Sequence, residues 1–356
     1  MTFLPLIALT LLAAASCSGE ASPSDAGDGV DATVLDSGPA DVGSPRDGGR
    51  AGQDTGAGDA SLGLGPPYPI VLAHGFFGFE DFAGVGFITY FHGVKDALGI
   101  DGEALVFTPE VDPFNTSEVR GAELIERIEA ILAMTGHAKV NIIGHSQGGL
   151  DARVVAHDRP DLVASITTVA TPHRGSRISD VILGLVSDDR LRNLVDELAR
   201  AIGAPLFNEV GEATSVVASL GQFSTEGAAV FNTNYTDRID VAYYSLTGVS
   251  DWAWGSACRT AAAPPWLDRY ADDRDPVDVL LSVSEAILDG GLLDTFPNDG
   301  LVRVVDARWG RFLGCVPADH LDEVGQLLGD SPGRGNDFDH RQLYIDIVRF
   351  LRTEGH

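Results

Sequence analysis

The sequence predicts an α/β fold, a mostly parallel central sheet covered on both faces by helices. Three observations predict it. From about residue 66 onward, strand-like apolar runs alternate with segments of helical periodicity. The run "YPIVLA" is nearly continuous in apolar residues, as strands buried on both faces are, and "KVNII" leans apolar. The chain has 356 residues, 44% of them hydrophobic, which is ample for one large core.

The N-terminal segment precedes that fold. "MTFLPLIALTLLAAASCSGE" is an apolar run, short for a membrane span, that ends in small residues. Residues 1–16 therefore read as an export signal peptide. Ala14-Ala15-Ser16-Cys17 resembles a bacterial lipobox, in which the cysteine becomes the lipidated first residue. Two features depart from that pattern: no Lys or Arg precedes the run, and Ala14 stands where Leu is usual. The expected location is exported, as an outer-membrane or cell-surface lipoprotein anchored through Cys17, or secreted. Residues 17–65 are Gly, Asp, Ala, Ser and Pro with almost no large apolar side chains, and their acids face only Arg46 and Arg50. Such a segment cannot bury enough surface to offset its ordering entropy, which predicts a disordered acidic tether.

The folded domain spans 66–356. "YPIVLAHG" is a buried strand entering a glycine turn, and "EALVFTP" reads as a second strand. "TSEVRGAELIERIEAILAMTG" is an amphipathic helix with Leu124, Ile128, Ile131 and Leu132 on one face, capped by Thr116 or Ser117 and stopped at Gly136. "KVNII" is the next strand, followed by a serine turn and a helix to about His157. "LVASITTVA", "VAYYSLTG" and "RFLGCV" are further strands, and "HRQLYIDIVRFLRT" is a closing amphipathic helix.

Net charge restricts the partners. A formal charge of -28 argues against nucleic acid and against electrostatic docking on anionic lipid. It suits Ca²⁺, which takes carboxylate oxygens. Cys17, Cys258 and Cys315 lie far apart, and no two histidines have zinc-ligand spacing.

The serine turn carries the chemistry. Gly144-His145-Ser146-Gln147-Gly148 fits G-x-S-x-G, between an apolar strand and a helix. A serine projecting from so tight a turn needs glycine two residues either side, where side chains would collide. The helix that follows aims its N–H groups at a developing oxyanion. This context predicts that Ser146 is a nucleophile. A base and an orienting acid should follow in the order Ser, Asp/Glu, His. Among nine histidines, His320 follows a short strand and precedes a helix-like stretch, whereas His74 and His145 belong to their own turns. Asp299, in "FPNDGLV", stands upstream as the acid, although Asn-Asp-Gly is also ordinary turn chemistry.

At these residues the chain resembles the true lipases of Pseudomonas and Burkholderia type. The blocks "YPIVLAHGFFGFEDF", "KVNIIGHSQGGLDARVVAHDRPDLVASITTVATPHRGS", "STEGAAVFNTNY", "NDGLV" and "HLDEVGQLLG" appear in that family's order. The resemblance implies an α/β-hydrolase with a helical lid insertion, acting on triacylglycerols. It implies Ser146 as nucleophile, Asp299 as acid and His320 as base. It implies an oxyanion hole from the backbone N–H groups of Phe76 and Gln147, with Arg120 bracing the oxyanion loop. Phe76 stands where the family has Leu, a change that a backbone donor tolerates and that narrows the acyl pocket.

The resemblance also implies a structural Ca²⁺ held by Asp275 and Asp322, completed by the carbonyls of Gln326 and Asp330. An ion tied to the loop of His320 would fix the base in place. Asp275-Pro276 is equally an ordinary helix start. A disulfide between Cys258 and Cys315 is implied too, with Cys315 later in the chain than the family's second cysteine. Between "TPHRGS" and "STEGAAVF", Leu191, Leu194, Val195, Leu198 and Ile202 recur at helical spacing. The matching stretch in the family is a lid, expected here at about 187–209, whose apolar face would meet a lipid surface when open. Relatives often need a dedicated folding chaperone. A carboxylesterase or an extracellular polyester depolymerase uses the same triad. A non-catalytic surface binding protein of this fold has no need for the three residues together.

Overall fold

A computed structural model describes residues 63–76, 90–185, 215–250, 256–270, 273, 275–278, 281, 284–285, 288–289, 296–325, 332 and 336–356. The signal peptide, Cys17, nearly all of the tether, the lid at about 187–209, and Gln326 and Asp330 lie outside the described residues. Among the described residues, no helix is long and apolar enough to cross a membrane.

The strands are β1 (Ile70–Ala73), β2 (Val106–Phe107), β3 (Val140–His145), β4 (Val163–Val169), β5 (Ala242–Gly248) and β6 (Arg311–Val316). They form one sheet in the order β2-β1-β3-β4-β5-β6, and every pairing is parallel. Parallel neighbours need crossovers, and helices supply them. The described helices are α1 (Val94–Ile100), α2 (Ser117–Thr135), α3 (Gln147–Asp158), α4 (Arg177–Leu185), α5 (Val216–Phe223), α6 (Thr225–Asn234), α7 (Val304–Ala307) and α8 (His340–Thr353).

Alternation along each strand sends successive side chains to opposite layers. Ile70 and Leu72 pack with Leu98 of α1 and with Tyr344 and Ile347 of α8 on one face. Val71 and Ile142 pack with Leu124, Ile128 and Ile131 of α2 and with Val155 of α3 on the other. Fully burying each such side chain contributes about 1.5–3 kcal/mol before entropy is counted.

Two expectations change in detail. Of "EALVFTP" only Val106 and Phe107 pair, with Ile70 and Val71. β2 lies at the sheet edge with a single neighbour, and Pro109 has no N–H to extend the ladder. No helix starts at Asp275: residues 275–278 lack regular structure, and the Asp278 N–H goes to Asp319 Oδ2 at 2.9 Å.

The parallel ladder places the C-terminal ends of β1, β3, β5 and β6 along one edge. The turns that leave those ends carry Phe76, Ser146 and His320.

Candidate active site

Ser146 sits between β3 and α3 with φ 54° and ψ -127°. A positive φ at a non-glycine residue is strained and persists only where its surroundings hold it. They do so here: the Ser146 N–H donates to Val169 O at 2.9 Å, and the Thr171 hydroxyl donates to Ser146 O at 2.8 Å. The flanking glycines are needed for space. A Cβ on Gly144 would stand 2.5 Å from Gly148 O, and one on Gly148 would stand 2.1 Å from Ala73 O. The spacing of G-x-S-x-G is thus a packing requirement between the turn and β1.

Asp299 and His320 meet as the sequence predicts. His320 Nδ1 lies 2.9 Å from Asp299 Oδ2, and the His320 N–H donates to Asp299 O at 2.8 Å. The other carboxylate oxygen of Asp299 accepts from Leu301 N at 2.9 Å and Val302 N at 2.6 Å. Asp299 is fully buried and His320 nearly so. Turn chemistry and acid chemistry are here the same geometry: the Asn-Asp-Gly turn points amides at one oxygen and leaves the other for the imidazole.

Arg120 is fully buried rather than a surface charge. Its Nε donates to Asp151 Oδ2 at 2.8 Å, Nη1 to Asp112 O at 2.7 Å, and Nη2 to His74 O at 2.6 Å. His74 directly precedes Gly75-Phe76, so the guanidinium fork grips the turn expected to form the oxyanion hole. Burial pushes the Asp151 carboxyl up to about 6, against the pull of Arg120. Burial and the Arg120 charge hold His74 down at about 3, so its ring is neutral. Its Nε2 accepts from Val111 N at 3.2 Å, which leaves the proton on Nδ1, bonded to Gly75 O at 3.0 Å. Gln147 is the first residue of α3 and fully buried.

A second histidine–carboxylate pair lies beside the first, and sequence reasoning missed it. His145 Nε2 is 2.9 Å from Glu323 Oε2, and His145 Nδ1 is 2.7 Å from Tyr90 Oη. Glu323 also accepts from the Gly248 N–H at the end of β5. Burial drives His145 well below its usual range and Glu323 well above its own. The only local signal was position: His145 precedes the serine, and Glu323 stands three residues after His320.

Asp275 and Asp322 are both buried, and the structure brings them together. Asp319 joins them, and sequence reasoning had not named it. One carboxylate oxygen from each lies within 4.8 Å of the others. Asp319 Oδ1 accepts from Leu321 N and Asp322 N, at 2.9 and 3.0 Å. Three buried carboxylates so close repel one another, and hard oxygen donors fit Ca²⁺. Cys258 and Cys315 form a disulfide with 57 residues of sequence separation, and this loop contains Asp275 and Asp299.

Ser146 and His320 both line a cavity of about 350 Å³ whose walls include Phe76, Ile182, Leu220 and Phe223. A larger cleft of about 960 Å³ surrounds Trp309 and Arg311, and neither serine nor histidine lines it. Of the two, the smaller, more apolar cavity is the one that Ser146 and His320 line.

Known proteins resemble this chain in sequence and in fold. Residues 68–210 match the family described as alpha/beta hydrolase fold. The chain is 36% identical over 273 residues to a triacylglycerol lipase of Vibrio cholerae, covering 74% of this chain and 81% of that one. It is 31% identical over 305 residues to a triacylglycerol lipase of Pseudomonas fragi, covering 81% and 97%. A triacylglycerol lipase of Burkholderia plantarii is 29% identical over 292 residues, covering 74% and 80%. The crystal structure of Staphylococcus hyicus lipase shares the fold, with a TM-score of 0.58 at 18% identity, covering 81% and 97%. An all-parallel sheet, a serine in a strained strand-to-helix turn and these relatives together place the chain in the triacylglycerol lipase family, as an ester-cleaving α/β-hydrolase.

Proposed function

We propose that Ser146, His320 and Asp299 are the catalytic triad of this lipase and that its substrates are triacylglycerols. Ser146 Oγ attacks the ester carbonyl while His320 Nε2 takes its proton, and Asp299 holds the imidazole by Nδ1. The N–H groups of Phe76 and Gln147 stabilise the oxyanion. His320 then protonates the leaving alcohol, and water activated by the same imidazole cleaves the acyl-enzyme. His320, bonded to the buried Asp299 and lining one cavity with Ser146, is the observation that carries this reading.

Asp275, Asp322 and the neighbouring Asp319 would hold Ca²⁺, with the carbonyls of Gln326 and Asp330 completing the set. The bound ion would offset the mutual repulsion of these carboxylates and tie the 319–325 turn to residues 275–278. Its role is structural. Lipidation at Cys17, the acidic tether, export and a lid at about 187–209 complete the proposal on sequence grounds, and they would hold the enzyme near lipid surfaces. A dedicated chaperone for folding belongs to the same proposal.

The decisive test is hydrolysis of emulsified triglycerides and soluble esters by wild type and Ser146→Ala. The serine variant should lose about a millionfold in kcat. Equal turnover by both proteins would refute the triad. Turnover of soluble short esters alone, with none at an emulsion, would move the reading to a carboxylesterase.

A further inference from the structure

Two groups among the described residues have the donors and the spacing to share a metal ion. One is the all-oxygen set of Asp275, Asp319 and Asp322, which suits a hard cation. The other is His145, His320 and Glu323, with one ligand atom from each within 4.8 Å of the others. Two imidazoles and one carboxylate are a donor set for a borderline transition metal, Zn²⁺ above all. All three residues are buried, but His320 also lines the cavity of Ser146, so an ion has a way in.

Each of these ligands has another polar atom held by a partner outside the group. His145 Nδ1 is 2.7 Å from Tyr90 Oη, His320 Nδ1 is 2.9 Å from Asp299 Oδ2, and Glu323 Oε1 accepts from the Gly248 N–H. Outer contacts of this kind orient metal ligands and fix the tautomer of a ligating imidazole. His145 Nε2 and Glu323 Oε2 already stand 2.9 Å apart. Zn²⁺ with bonds of about 2.1 Å holds tetrahedral ligands about 3.4 Å apart, so shifts of about 1 Å complete the set. Burial keeps the His145 ring neutral. With zinc on Nε2 its proton sits on Nδ1 and is donated to Tyr90 Oη. Burial also favours a proton on Glu323, and that proton leaves as the ion binds.

We propose that His145, His320 and Glu323 form a site for Zn²⁺ whose occupation silences His320. A bound ion takes a nitrogen of His320, and the mechanism needs both: Nδ1 for Asp299, Nε2 for the proton of Ser146. The inhibition rests on the triad reading above, whereas the binding does not.

The test is a ZnCl₂ titration of the enzyme, read by turnover of a soluble p-nitrophenyl ester and by calorimetry. Ca²⁺ in constant excess keeps the carboxylate cluster from taking zinc. Turnover of each variant is taken relative to its own zinc-free rate. Zinc should inhibit wild type reversibly, and calorimetry should find the same site in wild type and in Ser146→Ala. Tyr90→Phe removes the partner of Nδ1 and should weaken zinc about tenfold to a hundredfold. Glu323→Gln removes a ligand outright and should weaken it more. Tyr90→Phe keeps the test decisive if Glu323→Gln does not fold. Wild type that binds no zinc, or folded variants that bind it as wild type does, overturns the proposal. Zinc bound with this pattern among the variants, but with no loss of turnover, supports the metal site and counts against His320 as the base.

Discussion

The imidazole of His145 stands 4.6 Å, centroid to centroid, from the imidazole of His320. The first ring is bonded to Glu323 and Tyr90, the second to Asp299. His145 ends the strand that delivers Ser146, and Glu323 lies in the turn that follows His320. One buried chain of polar groups therefore ties the segment of Ser146 to the segment of His320, with Tyr90 close against Gly75.

Breaking that chain should loosen the site as well as the fold. Glu323→Ala leaves the His145 ring without its carboxylate partner in the interior, which costs about 1–3 kcal/mol. A shift of the base by about 1 Å costs about a hundredfold in kcat. Glu323→Gln, which can still bond His145, should recover most of both. Thermal unfolding and kcat, measured on the same preparations, check this. Equal losses in the two variants would show that the bond to His145 is not what matters.

Arg120 offers a separate test of the oxyanion turn. Arg120→Ala leaves Asp151 buried and unpaired, which costs about 3–5 kcal/mol. Arg120→Lys keeps the charge but cannot reproduce the fork to His74 O, Asp112 O and Asp151. The lysine variant should fold and lose about tenfold to a hundredfold in kcat, with KM little changed. Steady-state kinetics with one soluble ester would show it. A lysine variant with wild-type kcat would remove the bracing role.

His74 predicts a pH dependence of stability. Its folded pKa is lowered to about 3, from an ordinary value of 6.5. Above about 6.5 the ring is neutral in both states, and its burial then carries no charge penalty. Between about 6.5 and 3 the unfolded chain binds a proton that the folded chain does not. Stability from this group is therefore lost as pH falls, by up to about 1.4 kcal/mol per pH unit. The carboxyls of Asp151 and Glu323 are shifted up and act in the opposite direction, so the wild-type curve alone mixes these effects. The difference between wild type and His74→Asn isolates the imidazole. Urea unfolding at pH 7, 6 and 5 should show wild type losing ground to the variant as pH falls.

The disulfide and the carboxylate cluster should both act on stability. Removing Cys258–Cys315, which closes a loop of 57 residues, should cost about 4 kcal/mol by the loop-entropy relation. Urea unfolding of the paired Cys→Ser variant checks the figure. Chelation should lower Tm in wild type and do little in Asp322→Asn. Unchanged Tm after thorough removal of calcium would end the metal proposal.

The sequence by itself picked out the serine turn, the chain order of Ser146, Asp299 and His320, and the alternation of strands and helices. Those features are local or ordered along the chain. Glycine on both sides of Ser146 is a steric need of one tight turn, and Ile70 through Ala73 can be read as a buried strand from their composition. Asp299 was half legible, because the same Asn-Asp-Gly turn serves an ordinary bend and a catalytic acid. Only the tertiary structure decided that His145 pairs with Glu323 across 178 residues, that Asp319 joins Asp275 and Asp322, and that Phe223 faces Phe76 over the cavity. These contacts join segments brought together by the parallel sheet and its crossovers. Buried polar groups must find partners wherever the fold sets them, and no spacing along the chain records which partner is near.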